Sequence, residues 1–134
     1  MAADSNTVLI RGAEIVNEGR RFVSDVLIER ERIEKIAPDI SLKKQHALID
    51  ASGQCLLPGM IDAHVHFREP GLTHKGDIYS ESRAAVAGGV TSFMEMPNTR
   101  PPALTQALLE EKFALSAKKS LVNFSFFLGA SDGN

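Results

Sequence analysis

GMIDAHVHF, at residues 59–67, is the stretch of sequence that decides the fold, and two segments that follow complete the pattern. Its short apolar run is typical of a strand. Residues 77–88 are rich in alanine and predict a helix, which a pair of glycines ends. VTSFMEM, at residues 90–96, predicts a second strand that Pro97 ends. The chain therefore changes from strand to helix and back within forty residues or so.

The next segments repeat this alternation. Thr105 is a candidate N-cap for a second helix, with Lys118-Lys119 favourably placed at its C-terminus. LVNFSFFL, at residues 121–128, predicts a third strand. The order β-α-β-α-β requires a parallel sheet, whose strands are buried on both faces. The helix residues expected to face this sheet are Leu108, Leu109, Phe113, Leu115 and Ala117.

Residues 7–57 predict a small β-sandwich-type module. Short β-rich runs occupy residues 7–11, 13–16, 22–29, 33–36 and 47–49. Asn17-Glu18-Gly19 is a predicted turn between two of them. The expected division is a β module at 1–57 and a parallel α/β unit at 58–134.

Three strands and two helices make less than half of a (β/α)8 barrel, whose usual size is about 250 residues. The chain stops directly after a strand, where the next helix would normally follow, so we predict the first part of a TIM (β/α)8 barrel that is incomplete here. The alternative from pattern alone is a small open α/β sheet. An isolated 1–134 polypeptide is expected to fold poorly, because its third strand would expose an edge and a bare face.

Composition excludes several classes of protein. A net charge of −2 without a Lys/Arg cluster gives no indication of a nucleic-acid partner. No window approaches the roughly 18 apolar residues of a membrane span, and residues 1–6 lack the basic start of a secretory signal. Cys55 is the only cysteine, which fits a reducing cytoplasm, and we expect it to be a small buried residue.

The chemistry centres on a His-x-His motif. Because side chains alternate along a strand, Asp62, His64, His66 and Arg68 should share one face. Two imidazoles two residues apart can converge on one metal ion, and imidazole is a common zinc ligand. A bare His-x-His also occurs by chance, so the motif is a hypothesis that needs its context.

That context is a resemblance to the dihydroorotases of the amidohydrolase superfamily. The run at residues 58–71, PGMIDAHVHFREPG, resembles their signature, and Met96-Pro97-Asn98-Thr99 matches a second family segment after the following strand. The resemblance implies that the incomplete barrel belongs to a metal-dependent hydrolase. The leading β module agrees, since relatives carry a small β domain beside the barrel.

The resemblance also assigns roles to matching residues. His64 and His66 would be metal ligands, and Arg68 and Asn98 would hold a substrate carboxylate, which a planar guanidinium can bind bidentately. Hydantoinases and allantoinases usually lack an arginine at position 68. Asp62 would orient a ligand histidine from behind. The structural alternatives are a salt bridge from Arg68 to a neighbour such as Glu69, a turn role for Asn98 and a strand-end hydrogen bond for Asp62.

The implied reaction is reversible hydrolysis of the cyclic amide of dihydroorotate to N-carbamoyl-aspartate in pyrimidine biosynthesis, with one or two Zn²⁺ per site activating water. No catalytic acid or base is expected within this chain, which alone should be inactive; that group, the remaining ligands and the bridging group would lie beyond Asn134. A homo-oligomer and association with other pyrimidine enzymes are further expectations. The alternatives are a silent dihydroorotase-like scaffold subunit and a hydantoinase or allantoinase.

Overall fold

The computed structural model describes residues 7–43 and 46–134, in which the chain divides into two units, Met1–Pro58 and Gly59–Asn134. Residues 1–6, where we predict no secretory signal, lie outside these ranges. The architecture is mixed α/β, with a β-sandwich-like sheet in the first unit and the start of a parallel sheet in the second.

Five strands form the sheet of the first unit, in the order β3-β2-β1-β4 with β5 paired to β1. They are β1 (Thr7–Asn17), β2 (Arg20–Glu29), β3 (Arg32–Ala37), β4 (Ala47–Asp50) and β5 (Cys55–Leu56). β1 pairs antiparallel with β2 and parallel with β4 and β5. The sheet is therefore mixed, with its longest strand in the middle.

The predicted turn between β1 and β2 is confirmed. Glu18 and Gly19 have φ values of 49° and 72°, the left-handed backbone that a two-residue hairpin needs. The two strands predicted at 7–11 and 13–16 are instead one strand, whose register with β2 shifts between Ile10 and Ala13. Gly12, with φ 67°, lies at this shift.

Asp25 joins three segments of the first unit. Its buried carboxylate accepts hydrogen bonds from the amide of Gly12 at 2.8 Å and from the amide of Ile40 at 2.9 Å. These two bonds lower the pKa of Asp25, because they stabilise its charged form. Two residues after Asp25, Leu27 packs with Leu9 and Ile40 in the core of the unit.

The second unit has the predicted order β-α-β-α-β and a parallel sheet, β6-β7-β8. Its elements are β6 (Met60–Val65), α1 (Ile78–Ala87), β7 (Val90–Glu95), α2 (Gln106–Lys119) and β8 (Asn123–Phe126). Asp77 caps α1 in a reciprocal capping box with Ser80, and Thr105 caps α2 as predicted. The first and third strands are shorter than their apolar runs indicated.

Three phenylalanines form the core of the second unit, and Leu109 of α2 packs against them. They are Phe67, just after β6, Phe93 of β7 and Phe126 of β8. Our prediction of the buried face of α2 was partly wrong. Phe113 does face the sheet, with its ring centroid 4.9 Å from that of Phe126, although it is 38% exposed. Ala117 is exposed, and the buried residues of this helix are Lys112 and Ser116. The physical reason is that the underlying strand presents the acidic Glu95, with which the lysine pairs.

The prediction that Cys55 is buried was also wrong. Cys55 is exposed on the short strand β5, and its thiol lies 3.4 Å from a carboxylate oxygen of Glu14. A two-residue strand beside β1 provides too little cover to bury the side chain.

None of the helices in the described part of the chain has both the length and the apolar character needed to cross a bilayer.

Replacing Asp25 should weaken the first unit. Asp25→Ala would leave two buried amides without acceptors, and we expect the free energy of unfolding of the full-length protein to fall by about 3 kcal/mol. Denaturant titration measures this loss. Asp50→Ala, which removes an exposed carboxylate bonded to the amide of Ser52, is the matched control with a much smaller effect.

The Asp25 contribution should also depend on pH. Because its folded pKa is lowered, the stabilisation is complete above the ordinary pKa of about 4 and is lost as the pH falls through the lowered value. The difference in stability between wild type and Asp25→Ala should shrink in that acidic range. A difference that stays constant down to the most acidic folded conditions would contradict this account.

Candidate functional site

The two histidines of the motif lie at the carboxyl end of β6. The strand ends at Val65, and its pairing with β7 is irregular between Asp62 and Val65, so His64 lies in this irregular stretch. The ring centroids of His64 and His66 are 5.4 Å apart with an interplanar angle of 63°. Irregular pairing near a strand end re-aims side chains, and here it accompanies two neighbouring imidazoles.

Asn98 lies against one of these rings. Its Oδ1 is 2.9 Å from Nδ1 of His66, although the two residues are 32 positions apart in the sequence. A carbonyl oxygen can only accept, so this bond is made by the tautomer that carries its proton on Nδ1. In that tautomer Nε2 of His66 keeps an unshared electron pair for a ligand.

Asp62 makes a local contact. Its Oδ1 accepts a hydrogen bond from the backbone amide of His64 at 3.1 Å, which corresponds to the structural alternative considered from the sequence. A role of this carboxylate at a ring nitrogen stays a prediction.

Arg68 follows the strand and has an unusual backbone. Its φ is 71°, in the left-handed region that non-glycine residues rarely occupy. Its amide donates a hydrogen bond to Oε1 of Glu95 at 3.0 Å. Within the described ranges no carboxylate forms an ion pair with its half-buried side chain, so the alternative role of Arg68, a salt bridge to Glu69, is not observed.

Glu69 instead fastens the loop to both helices of the second unit. The buried carboxylate accepts a hydrogen bond from the amide of Ile78, at the start of α1, at 3.0 Å. Its other oxygen pairs with the ammonium group of Lys119, the last residue of α2. The loop after β6 is therefore held at its fourth residue by a charged side chain.

The loops after β6 and β7 also touch each other through backbone groups. The amide of Arg100 donates to the carbonyl oxygen of Pro70 at 3.1 Å. Gly71 has φ 82°, and a Cβ at this position would overlap the carbonyl oxygen of Arg100. The close approach requires glycine, which explains the Pro-Gly pair that ends the quoted motif.

Glu95 and Lys112 form a buried ion pair that sequence reasoning missed. Oε2 of Glu95 lies 3.0 Å from the lysine Nζ, and the two side chains are only 1% and 2% exposed. The ammonium group also donates to the carbonyl oxygen of Met96 at 3.3 Å and lies 4.8 Å from the centroid of the Phe126 ring. Burial raises the pKa of Glu95, and the hydrogen bond and charge of Lys112 oppose this effect.

A signal for this pair was present in the sequence. Glu95 shares its strand face with Phe93, two residues earlier, and Phe93 is the type of residue expected in a core. A charge on a core-facing strand position needs a partner of opposite charge, and a lysine on the next helix can supply it.

The histidine pair fits part of a zinc-type site. Zinc–nitrogen distances of about 2.0–2.1 Å in a tetrahedral site place the centroids of two imidazole ligands roughly 5 Å apart. The observed separation of 5.4 Å is close to this geometry. Ligand imidazoles also commonly donate the other ring N–H to an oxygen, as His66 does to Asn98. Within residues 7–43 and 46–134, no three His, Cys, Asp or Glu side chains cluster closely enough to hold an ion by themselves.

Known proteins with similar sequences include dihydroorotases. A dihydroorotase of Methanosarcina acetivorans is 45% identical over 101 residues, 75% of this chain and 22% of that protein. A dihydroorotase of Streptococcus pyogenes is 43% identical over 116 residues, 85% of this chain and 27% of that protein. The chain thus spans about a quarter of the length of these curated relatives.

Solved structures of a hydantoinase and a dihydropyrimidinase also superimpose on this chain. An L-hydantoinase (dihydropyrimidinase) from Arthrobacter aurescens superimposes with a TM-score of 0.89 at 29% identity, over 94% of this chain and 28% of that one. A dihydropyrimidinase from Brevibacillus agri gives a TM-score of 0.82 at 28% identity, over 96% and 28%. The sequence profile described as the Amidohydrolase family matches residues 55–131, more than half of the chain. The chain therefore belongs to the amidohydrolase family, and its relatives in sequence include dihydroorotases.

Proposed function

We propose that this chain is the N-terminal part of a dihydroorotase, a metal-dependent hydrolase of the cyclic amide of dihydroorotate. The observation that carries the proposal is the meeting of two strand ends. There His66 is bonded to Asn98 and lies beside His64. Arg68 follows in the same loop, with no carboxylate partner among the described residues.

The proposal includes a longer parent protein with a complete (β/α)8 barrel. Apolar strand and loop residues of the second unit are widely exposed, with Ile61 68%, Leu121 55% and Leu128 47% exposed. Parallel strands are normally covered on both faces, so further strands and helices would cover these residues. In the same proposal, residues 1–57 are the N-terminal half of a β domain built from both ends of the parent chain, and residues 58–134 are the first three strands and two helices of the barrel. The cytoplasmic location, the homo-oligomer and the association with other pyrimidine-pathway enzymes also belong to it.

Three residues of this chain would contribute to the metal site. A bound Zn²⁺, one or two per site, would polarise the ring carbonyl and lower the pKa of a water molecule. His64 and His66 would supply two of its nitrogen ligands, and Asn98 would fix the ring orientation of His66 through the bond at 2.9 Å. The catalytic acid or base and the other ligands would come from the remainder of the protein.

Arg68 and Asn98 would hold the substrate carboxylate. The guanidinium can donate two parallel hydrogen bonds to a carboxylate, and the amide nitrogen of Asn98 remains available as a donor while its oxygen is bonded to His66. The hydantoinase alternative rests on the likeness to solved structures of a hydantoinase and a dihydropyrimidinase. An arginine that follows the histidines and has no carboxylate partner in the described part of the chain favours a carboxylate-bearing ring, and the relatives in sequence include dihydroorotases.

The first experiment tests the metal ligands in the full-length protein. His64→Ala and His66→Ala should each lower kcat/KM for dihydroorotate about a hundredfold or more and reduce bound metal, measured by plasma mass spectrometry. His74→Ala, in an exposed loop, is the control that should keep the wild-type kcat/KM and metal content. Full metal content and activity in the double variant would refute the assignment. A wild type without metal or activity would support the scaffold alternative.

The second experiment tests the carboxylate anchor. Arg68→Ala should raise KM for dihydroorotate roughly ten- to a hundredfold, because a charge-assisted bidentate interaction is lost. The KM of Arg68→Lys should lie between those of the wild type and Arg68→Ala, since lysine keeps the charge without the planar guanidinium group. The same ring without its carboxylate is the control substrate, and equal effects on both substrates would contradict the anchoring role.

A further inference from the structure

The backbone of Arg68 is held in its left-handed conformation by a carboxylate on the neighbouring strand. The left-handed conformation at φ 71° is intrinsically unfavourable for an arginine, because its Cβ crowds the carbonyl group there. The hydrogen bond from its amide to Glu95, at 3.0 Å, favours this conformation. The direction in which the side chain leaves the loop therefore depends on the position of this acceptor.

Glu95 is itself fixed by Lys112. The ion pair at 3.0 Å is almost fully buried, and the ammonium group is anchored further by the carbonyl oxygen of Met96. Glu95 is the last residue of β7 and pairs with Phe126 of β8, so its backbone is fixed as well. The acceptor for the Arg68 amide is consequently a rigid group.

The next residue of the loop is held in a similar way. Glu69 pairs with Lys119, which lies seven residues after Lys112. A spacing of seven is close to two helical turns, so both lysines lie on one side of α2. One helix thus supplies a cation to each of the two carboxylates that hold the peptide around Arg68.

Stability alone does not account for the Glu95–Lys112 pair. Apolar residues of similar volume at such sites often stabilise a protein as well as a buried ion pair or better. An apolar pair would, however, remove the acceptor for the Arg68 amide. We propose that Glu95, paired with Lys112, is a positioning residue that directs the Arg68 side chain toward the substrate carboxylate. This inference rests on the proposed function.

The test compares two double variants of the full-length protein that differ in this acceptor. Glu95→Gln/Lys112→Met keeps an oxygen for the Arg68 amide, whereas Glu95→Leu/Lys112→Met removes it, and neither leaves a buried charge. The leucine variant should have a KM for dihydroorotate roughly ten- to a hundredfold above that of the glutamine variant, with a much smaller change in kcat. Both should have the same KM for the ring without a carboxylate.

Two further measurements separate positioning from a general structural effect. With Arg68→Ala added to each double variant, their KM values for dihydroorotate should become equal, because the group being positioned is gone. Amide hydrogen exchange at Arg68 should be faster in the leucine variant than in the glutamine variant. If the leucine variant does not fold, Glu95→Met/Lys112→Met takes its place, since methionine fills a similar volume without an oxygen.

The outcomes distinguish this inference from the proposed function. If the wild type hydrolyses dihydroorotate but the two variants share one KM, or raise KM equally for both substrates, the positioning role is overturned and the proposed function stands. If the wild type hydrolyses neither ring, the proposed function is overturned and the positioning role with it.

Discussion

Parallel pairing of β6 with β7 is the constraint on which the candidate site depends. Residue Val65 pairs with Glu95, so the segments that leave the two strands start side by side. This register is what brings His66 within hydrogen-bonding distance of Asn98. Because parallel strands need a crossover connection, α1 is required for this meeting even though it contributes none of the four proposed ligand and substrate residues.

Local rules predicted a large part of the fold. The glycine pair after α1, the cap at Thr105 and the turn at Glu18-Gly19 each act over a few residues, and the structure confirms these helix limits and this turn. The β-α-β-α-β order followed from them. The alternation of side chains also indicated that His64 and His66 would be neighbours, and their rings are indeed close.

The contacts that escaped prediction join residues far apart in the chain. Glu95 and Lys112, or Glu69 and Lys119, attract each other only after the helices have packed on the sheet. Apolar patterning correctly placed Phe113 against the sheet but missed the buried Lys112 beside it, because periodicity alone does not anticipate a charge that is paired in the core. The left-handed backbone of Arg68 escaped prediction for the same reason, since Glu95, which accepts the hydrogen bond from its amide, lies on another strand.

Asn98 connects two proposed tasks within one small side chain. An amide has an acceptor and two donor hydrogens, and the bond to His66 uses only the acceptor. The donors can therefore face a substrate carboxylate while the oxygen fixes the tautomer of a ligand imidazole. An aspartate would keep an acceptor for His66 but would repel the carboxylate, and an alanine would lose both contacts. The amide is the neutral group of this size that would satisfy the ring and the substrate together, so under the proposed function ring orientation and substrate recognition would be coupled through one residue.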